Sequence, residues 1–218
     1  MKKSIWFLII SIILSGCVST KNVAVPTDTI SKMKGKSLIV TTGKKPDFAA
    51  MTAGKAVFGM LGAIAMISQG NKIIKENNVN DPALYIGSKL ANDLSKKRAI
   101  KADSKVKIES TDDISQLTKK YNNENYILDI RTINWSFAYF PTDWNNYRVI
   151  YSTKLRLIDV HDNKLIAEGF CSQVPDQTEK SPSYDQLLEA NAQGLKNELK
   201  ISADKCLQAF KKNIFYLK

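Results

Sequence analysis

The second half of the chain carries the clearest pattern of apolar and polar positions, and it predicts three strands in succession. Tyr126 to Phe140 is the strongest stretch. In it Leu128 and Ile130 share one phase while Ile133, Trp135, Phe137 and Tyr139 share the other, so a bulge near Thr132 is needed to bring both sets to one face. The turn-rich Pro141 to Asn146 follows, and alternation resumes from Tyr147 to Val160, with Val149, Tyr151, Leu155 and Leu157 inward and Arg148, Lys154 and Arg156 outward. His161-Asp162-Asn163-Lys164 closes a hairpin into Leu165 to Val174.

Helical spacing appears elsewhere. Asp81-Pro82 is an N-cap followed by proline at the first helical position, with Ile86, Leu90 and Leu94 at steps of four. Asp112 to Tyr121 reads as a short helix carrying Ile114 and Leu117 inward, and a long last helix runs from about Tyr184 to Asn213, with Leu188, Leu195, Leu199, Ser202, Cys206 and Phe210 on its stripe. Ser37 to Thr42 and Lys105 to Ser110 complete the strands. This order predicts a single α+β domain over 37–218. Its mixed sheet has about five strands and a C-terminal antiparallel meander, with helices packed on one face.

The N-terminus changes what composition implies. Across 218 residues, 32 Lys and Arg against 21 Asp and Glu give a net charge of +11, which in a cytosolic protein makes nucleic acid the first partner considered. Met1-Lys2-Lys3, the apolar run Ile5 to Leu14 and the ending Leu14-Ser15-Gly16-Cys17 make an export signal instead, with an apolar run too short to span a bilayer. Leu-Ser-Gly-Cys resembles the lipobox of bacterial lipoproteins. That resemblance implies cleavage of residues 1–16, acylation of Cys17, and a partner in the lipid bilayer through its acyl chains. Val18 rather than Asp follows the cysteine, which in the enterobacterial sorting rule resembles an outer-membrane destination. Cleavage removes Lys2 and Lys3 and no acid, so the mature chain keeps +9 and meets anionic lipid or wall groups rather than nucleic acid. Residues 17–36, poor in large apolar groups, read as a flexible tether.

Between the first strand and the first helix lies a Gly/Ala-rich apolar insertion, 46–70, with no charge from Ala56 to Gln69. Gly59 and Ala63 have small-x-x-x-small spacing, and Phe58 and Gly62 stand beside them. The run is shorter than the ~20 residues of a transmembrane helix. It is a close-packed helix of the domain or of a dimer interface, a helix lying on the membrane, or a segment that inserts when subunits assemble.

Cys171 and Cys206 remain once Cys17 is assigned to lipid, and in an oxidising compartment they are expected to bridge, the first from the inward phase of its strand and the second from the buried stripe of the last helix. Other chemistry lacks its parts. His161 is the sole histidine, which excludes Ser-His-Asp triads and His-cluster metal sites. Thr52-Ala53-Gly54-Lys55-Ala56 lacks the first glycine and the hydroxyl of a phosphate loop, so no cofactor is expected. Asp112, Asp113 and Asp129 are the carboxylates available for glycoside hydrolysis, though the first two also suit a helix cap. Trp144, between Asp143 and Asn145, is either core or a partner contact.

The element order together with the lipobox is similar to the curli secretion lipoprotein family, to penicillin-binding-protein activator lipoproteins and to the N-terminal domain of TolB. The resemblance covers about 36–214 and rests on pattern. Fold likeness carries no function with it; with an export signal and no catalytic set, the chain is read as a non-enzymatic binding or structural accessory of a cell-envelope assembly, with an envelope protein partner or self-association. The other outcome is an oligomeric curli-channel-like component that uses 46–70.

Overall fold

The computed structural model describes residues 22–56 and 58–217; the expected export signal and Cys17 lie outside the described residues. Its sheet is organised around β5 (Tyr126–Phe140). Strand β1 (Ser37–Gly43) runs parallel beside the start of β5, with Leu38 opposite Tyr126 and Thr41 opposite Asp129. Strand β2 (Ala49–Met51) runs parallel beside its end, with Ala49 opposite Ser136. On the other side β6 (Asp143–Asp159) pairs antiparallel along the whole of β5, and β7 (Lys164–Gln173) pairs antiparallel with β6. The short β3 (Lys101–Ala102) and β4 (Lys107–Glu109) pair parallel with β1. The fold is thus α+β with a mixed sheet of seven strands, and β2 and β3 are the two short ones beyond the expected five.

The register between β5 and β6 jumps from Thr132 opposite Thr153 to Asn134 opposite Ser152. Ile133 is the residue left out. It is half exposed rather than inward as its phase suggested, while Leu128, Ile130, Trp135 and Phe137 all face the same core.

Helix α4 (Pro82–Arg98) starts where Asp81 accepts a hydrogen bond from the Ala83 N–H at 2.9 Å. It packs with α6 (Tyr184–Asn213) on the main core face, where Ile86, Leu90, Leu94, Leu195, Leu199 and Phe210 meet Leu38, Val40, Leu155 and Leu157. The short α5 (Ile114–Lys120), capped by Asp113 at 2.9 Å from the Gln116 N–H, departs from the one-face expectation. Its Leu117 packs on Ile39, Ile127 and Ile158, which alternate with the main-core residues and so face the other way. Both faces of the sheet therefore carry helix.

Two further expectations need correction. Residues 22–36 are docked, not a free tether. Val23 bridges Glu168 of β7, Val25 is buried with its N–H on the Ile214 carbonyl at 3.0 Å, and α1 (Thr27–Lys32) leads to the buried Met33. A few well-placed apolar plugs suffice where composition looks linker-like. The last helix is also interrupted, because Ala190, Asn191 and Ala192 take φ of 50°, 60° and 58°. That break rotates the first turn, so Leu187 is buried and Leu188 only partly so.

The strand and helix stripes bring Cys171 and Cys206 together, bonded at 2.01 Å with Cα atoms 5.5 Å apart. Closing a loop of 35 residues stabilises the fold by roughly 3 to 4 kcal/mol in the chain-entropy account. Cys171→Ser is expected to lower the thermal midpoint to that of the reduced wild type, and a midpoint insensitive to reductant would contradict this.

Candidate binding surface

Helix α3 (Gly59–Glu76) is where the insertion departs from core behaviour. Beyond the end of β2 the chain makes the single turn α2 (Ala53–Ala56), reverses, and returns as α3. The reversal needs a left-handed residue, and Gly59 supplies it at φ +54°. Gly62 then lies against the Lys55 carbonyl, where a Cβ would come within 2.0 Å of the oxygen, and Gly70 lies equally close to the Phe48 carbonyl. With Met66 between them and Ile73 beyond, these glycines form the stripe that docks. Polar contacts fix the second half. Asn71 accepts from the Phe48 N–H at 2.9 Å and donates to Asp47 at 2.7 Å, and Gln69 donates to the Tyr184 hydroxyl at 2.7 Å. Phe48 itself is buried edge-on against Trp135 and Phe137.

The opposite side of the first half meets solvent. Phe58, Met60, Leu61 and Ile64 are 67%, 83%, 76% and 63% exposed, and Ile67 is partly so. Gly59 and Ala63 are exposed as well, so of the residues singled out from sequence only Gly62 is buried. No helix among the described residues is long and apolar enough to cross a membrane. Trp144 falls in β6 near the hairpin tip rather than in a turn; it is 65% exposed, with the indole N–H on the Pro141 carbonyl at 3.3 Å and its ring in a T-shaped contact with Tyr139.

Asp113 is used as a cap, and Asp129 is buried on the α5 side, accepting from Thr41 at 2.8 Å, Arg131 at 2.9 Å and Arg156 at 2.7 Å. His161 is exposed beside Asn125 in the β6–β7 turn. Among the described residues no three His, Cys, Asp or Glu side chains stand close enough to hold a metal ion.

One polar site was not read from the sequence beyond its cap. Asp81 is buried and takes a hydrogen bond from Thr132, whose hydroxyl also lies 3.2 Å from that of Tyr151. Burial raises the Asp81 carboxyl above its usual range, against the opposing hydrogen bonds from Thr132 and the Ala83 N–H. Beside it a groove of about 380 Å³ opens between the start of α4 and α6, lined by Asn78, Tyr85, Lys196 and Lys200. Tyr85 and Lys200 are already engaged with Asp204, at 2.7 and 2.5 Å. The signal for this cluster was a threonine at the bulge, which strand alternation alone does not explain.

No family model matches the chain, and no curated protein does. Several solved structures align over most of it. The PelC dodecamer from Paraburkholderia phytofirmans aligns at 13% identity over 84% of this chain and 95% of that one, with a TM-score of 0.34. Lipoprotein GNA1162 from Neisseria meningitidis aligns at 13% over 79% and 98%, at 0.30. Lipoprotein B from Nitrosomonas europaea aligns at 13% over 82% and 84%, at 0.32. The neighbours thus include bacterial lipoproteins, and no residue role is taken from them.

Gly70→Ala is expected to push α3 off the Phe48 carbonyl and destabilise the protein by roughly 1 to 3 kcal/mol; denaturant melts indistinguishable from wild type would contradict the close approach. For Asp81 the sign is explicit. Its folded pKa is raised, so stability falls as pH rises through the ordinary carboxyl range and levels off above the folded pKa. Asp81→Asn keeps an N-capping oxygen and removes the buried charge. It should match or exceed wild type at pH 7 and lose that advantage at pH 3, whereas Asp81→Ala should cost about 1 to 2 kcal/mol at either pH. Chemical denaturation at the two pH values reads both.

Proposed function

We propose that the chain is a lipid-anchored lipoprotein on the periplasmic face of the bacterial outer membrane. In this reading it acts by binding, as a non-enzymatic accessory of an envelope assembly. The observation that carries the reading is Leu14-Ser15-Gly16-Cys17 placed five residues before a domain that is already docked at Asn22 and Val23. An acylated Cys17 with that spacing keeps the domain against the bilayer. Val18 supports the outer-membrane assignment, and the Cys171–Cys206 bridge suits an oxidising compartment.

A second reading, an oligomeric curli-channel-like component, draws on the same exposed half of α3. A neighbouring subunit that covered it would bury Met60, Leu61 and Ile64. Light scattering of the full-length protein in mild detergent separates the two, since a closed ring of many subunits supports the second and a monomer the first.

The anchor itself is tested by metabolic labelling with a radioactive fatty acid. Wild type should take up label and fractionate with outer membranes, and Cys17→Ser should remain unlabelled and leave the membrane fraction. Label on Cys17→Ser, or a soluble wild type, would remove the basis of the proposal.

A further inference from the structure

The exposed half of α3 has an unusual distribution of polarity. From Gly59 to Ser68 no side chain is charged, and the residues that meet solvent are Met60, Leu61, Ala63, Ile64, Ala65, Ile67 and Ser68. One turn later the outward residues are Lys72, Lys75 and Glu76, with Lys72 and Glu76 paired at 3.9 Å. An ordinary surface helix changes polarity around its axis, apolar inward and polar outward. This one changes along its axis. A groove on a protein partner matches a stripe down one side, whereas a change along the axis matches a boundary that the helix end crosses, from water into lipid. The ten uncharged residues span ~15 Å, half of the ~30 Å hydrocarbon thickness, so the tip reaches no further than one leaflet. Lys55, on the turn before it, has a stem long enough to carry its charge back to the head groups.

The route of the chain places a bilayer at this end, given the reading of Cys17 as the lipid attachment. Val23 donates to the Glu168 carbonyl at 2.7 Å and accepts from its N–H at 3.0 Å, and Asn22 accepts from the Phe170 N–H at 2.7 Å. Residues 22 and 23 therefore run antiparallel to β7, and going toward the N-terminus they point to Gln173. Gln173 is opposite Tyr151, which is opposite Trp135. That is the end of the sheet where β2 lies, where α3 turns, and where the exposed Trp144 sits near the β5–β6 tip. Five residues from Cys17 to Asn22 reach at most ~18 Å. The lipid and the apolar half of α3 are thus held at one end of the domain, and indole rings such as Trp144 favour the head-group region.

We propose that Phe58 and the first half of α3 are embedded in the phospholipid interface to which Cys17 tethers the chain, giving the domain a second, non-covalent contact that fixes its orientation on the membrane. The anchor holds the protein near the bilayer, and α3 decides which face looks away from it.

The test uses the full-length lipidated protein in vesicles of phosphatidylethanolamine and phosphatidylglycerol, with and without brominated acyl chains. Ile64→Trp in a Trp144→Phe background is the probe, with Leu61→Trp as a second should the first not fold. Lys72→Trp is the control in the polar half. Quenching of most of the added emission at position 64 or 61, with little at 72, is the expected result. Emission at 64 and 61 that is unquenched and water-exposed overturns the proposal, and so does emission that is shifted to the blue but unquenched, which marks a second copy or a protein partner as the occupant. Flotation with the vesicles is scored separately. A protein that floats without quenching defeats the embedding alone, while one that does not float defeats the anchor and the placement argued from it.

Discussion

Everything else in the molecule is registered against β5, and β5 works only because one residue is left out of its ladder. A strand places alternate residues on opposite faces, so Leu128 and Ile130 cannot share a face with Trp135 and Phe137 without a shift of phase. Leaving Ile133 unpaired supplies that shift. The first half of β5 then faces α4 and α6 beside β1, and the second half presents Trp135 and Phe137 to Phe48 beside β2. The seat of α3 is built on the second half. Without the bulge the aromatic platform under β2 would face the α5 side, and the insertion would have nothing to dock on.

That platform explains how a segment with almost no polar residues is both fixed and exposed. Glycine permits backbone to approach backbone, and at positions 62 and 70 the neighbouring carbonyls leave no room for a Cβ. The second half of α3 gains hydrogen bonds through Asn71 and Gln69, while the first half projects beyond the aromatic cluster. Exposed apolar surface of this kind marks a contact site in a monomeric domain. If Cys17 carries lipid as proposed, the short path back to it from Asn22 gives that surface a neighbour in the bilayer.

Much of the architecture was legible from residues. The broken alternation at Thr132, the caps at Asp81 and Asp113, the hairpin at His161 to Lys164 and the inward phases of Cys171 and Cys206 all carry local signals that tertiary context did not override. Less legible was anything decided by which side of the sheet an element chooses. The stripe of Ile114 and Leu117 shows an amphipathic helix but not that it covers Ile39 and Ile127. Residues 22–36 looked like linker because only Val25 and Met33 among their apolar side chains are fully buried, and the backbone contacts that dock the rest leave no pattern in the sequence. At the candidate surface, uniform apolarity hid which side of α3 docks. The pattern Gly62, Met66, Gly70, Ile73 was the available sign, a helical stripe in which glycine marks the closest approach.

Helix α3 thus has two halves, the second held by protein and the first, as proposed, by lipid. Amide hydrogen exchange on the full-length lipidated protein tests this division directly, comparing vesicles with detergent-free protein released by cleavage after the anchor. Slow exchange at 69–76 in both states, with protection of 59–68 only on vesicles, is the predicted result. Equal exchange of 59–68 in the two states would contradict the account.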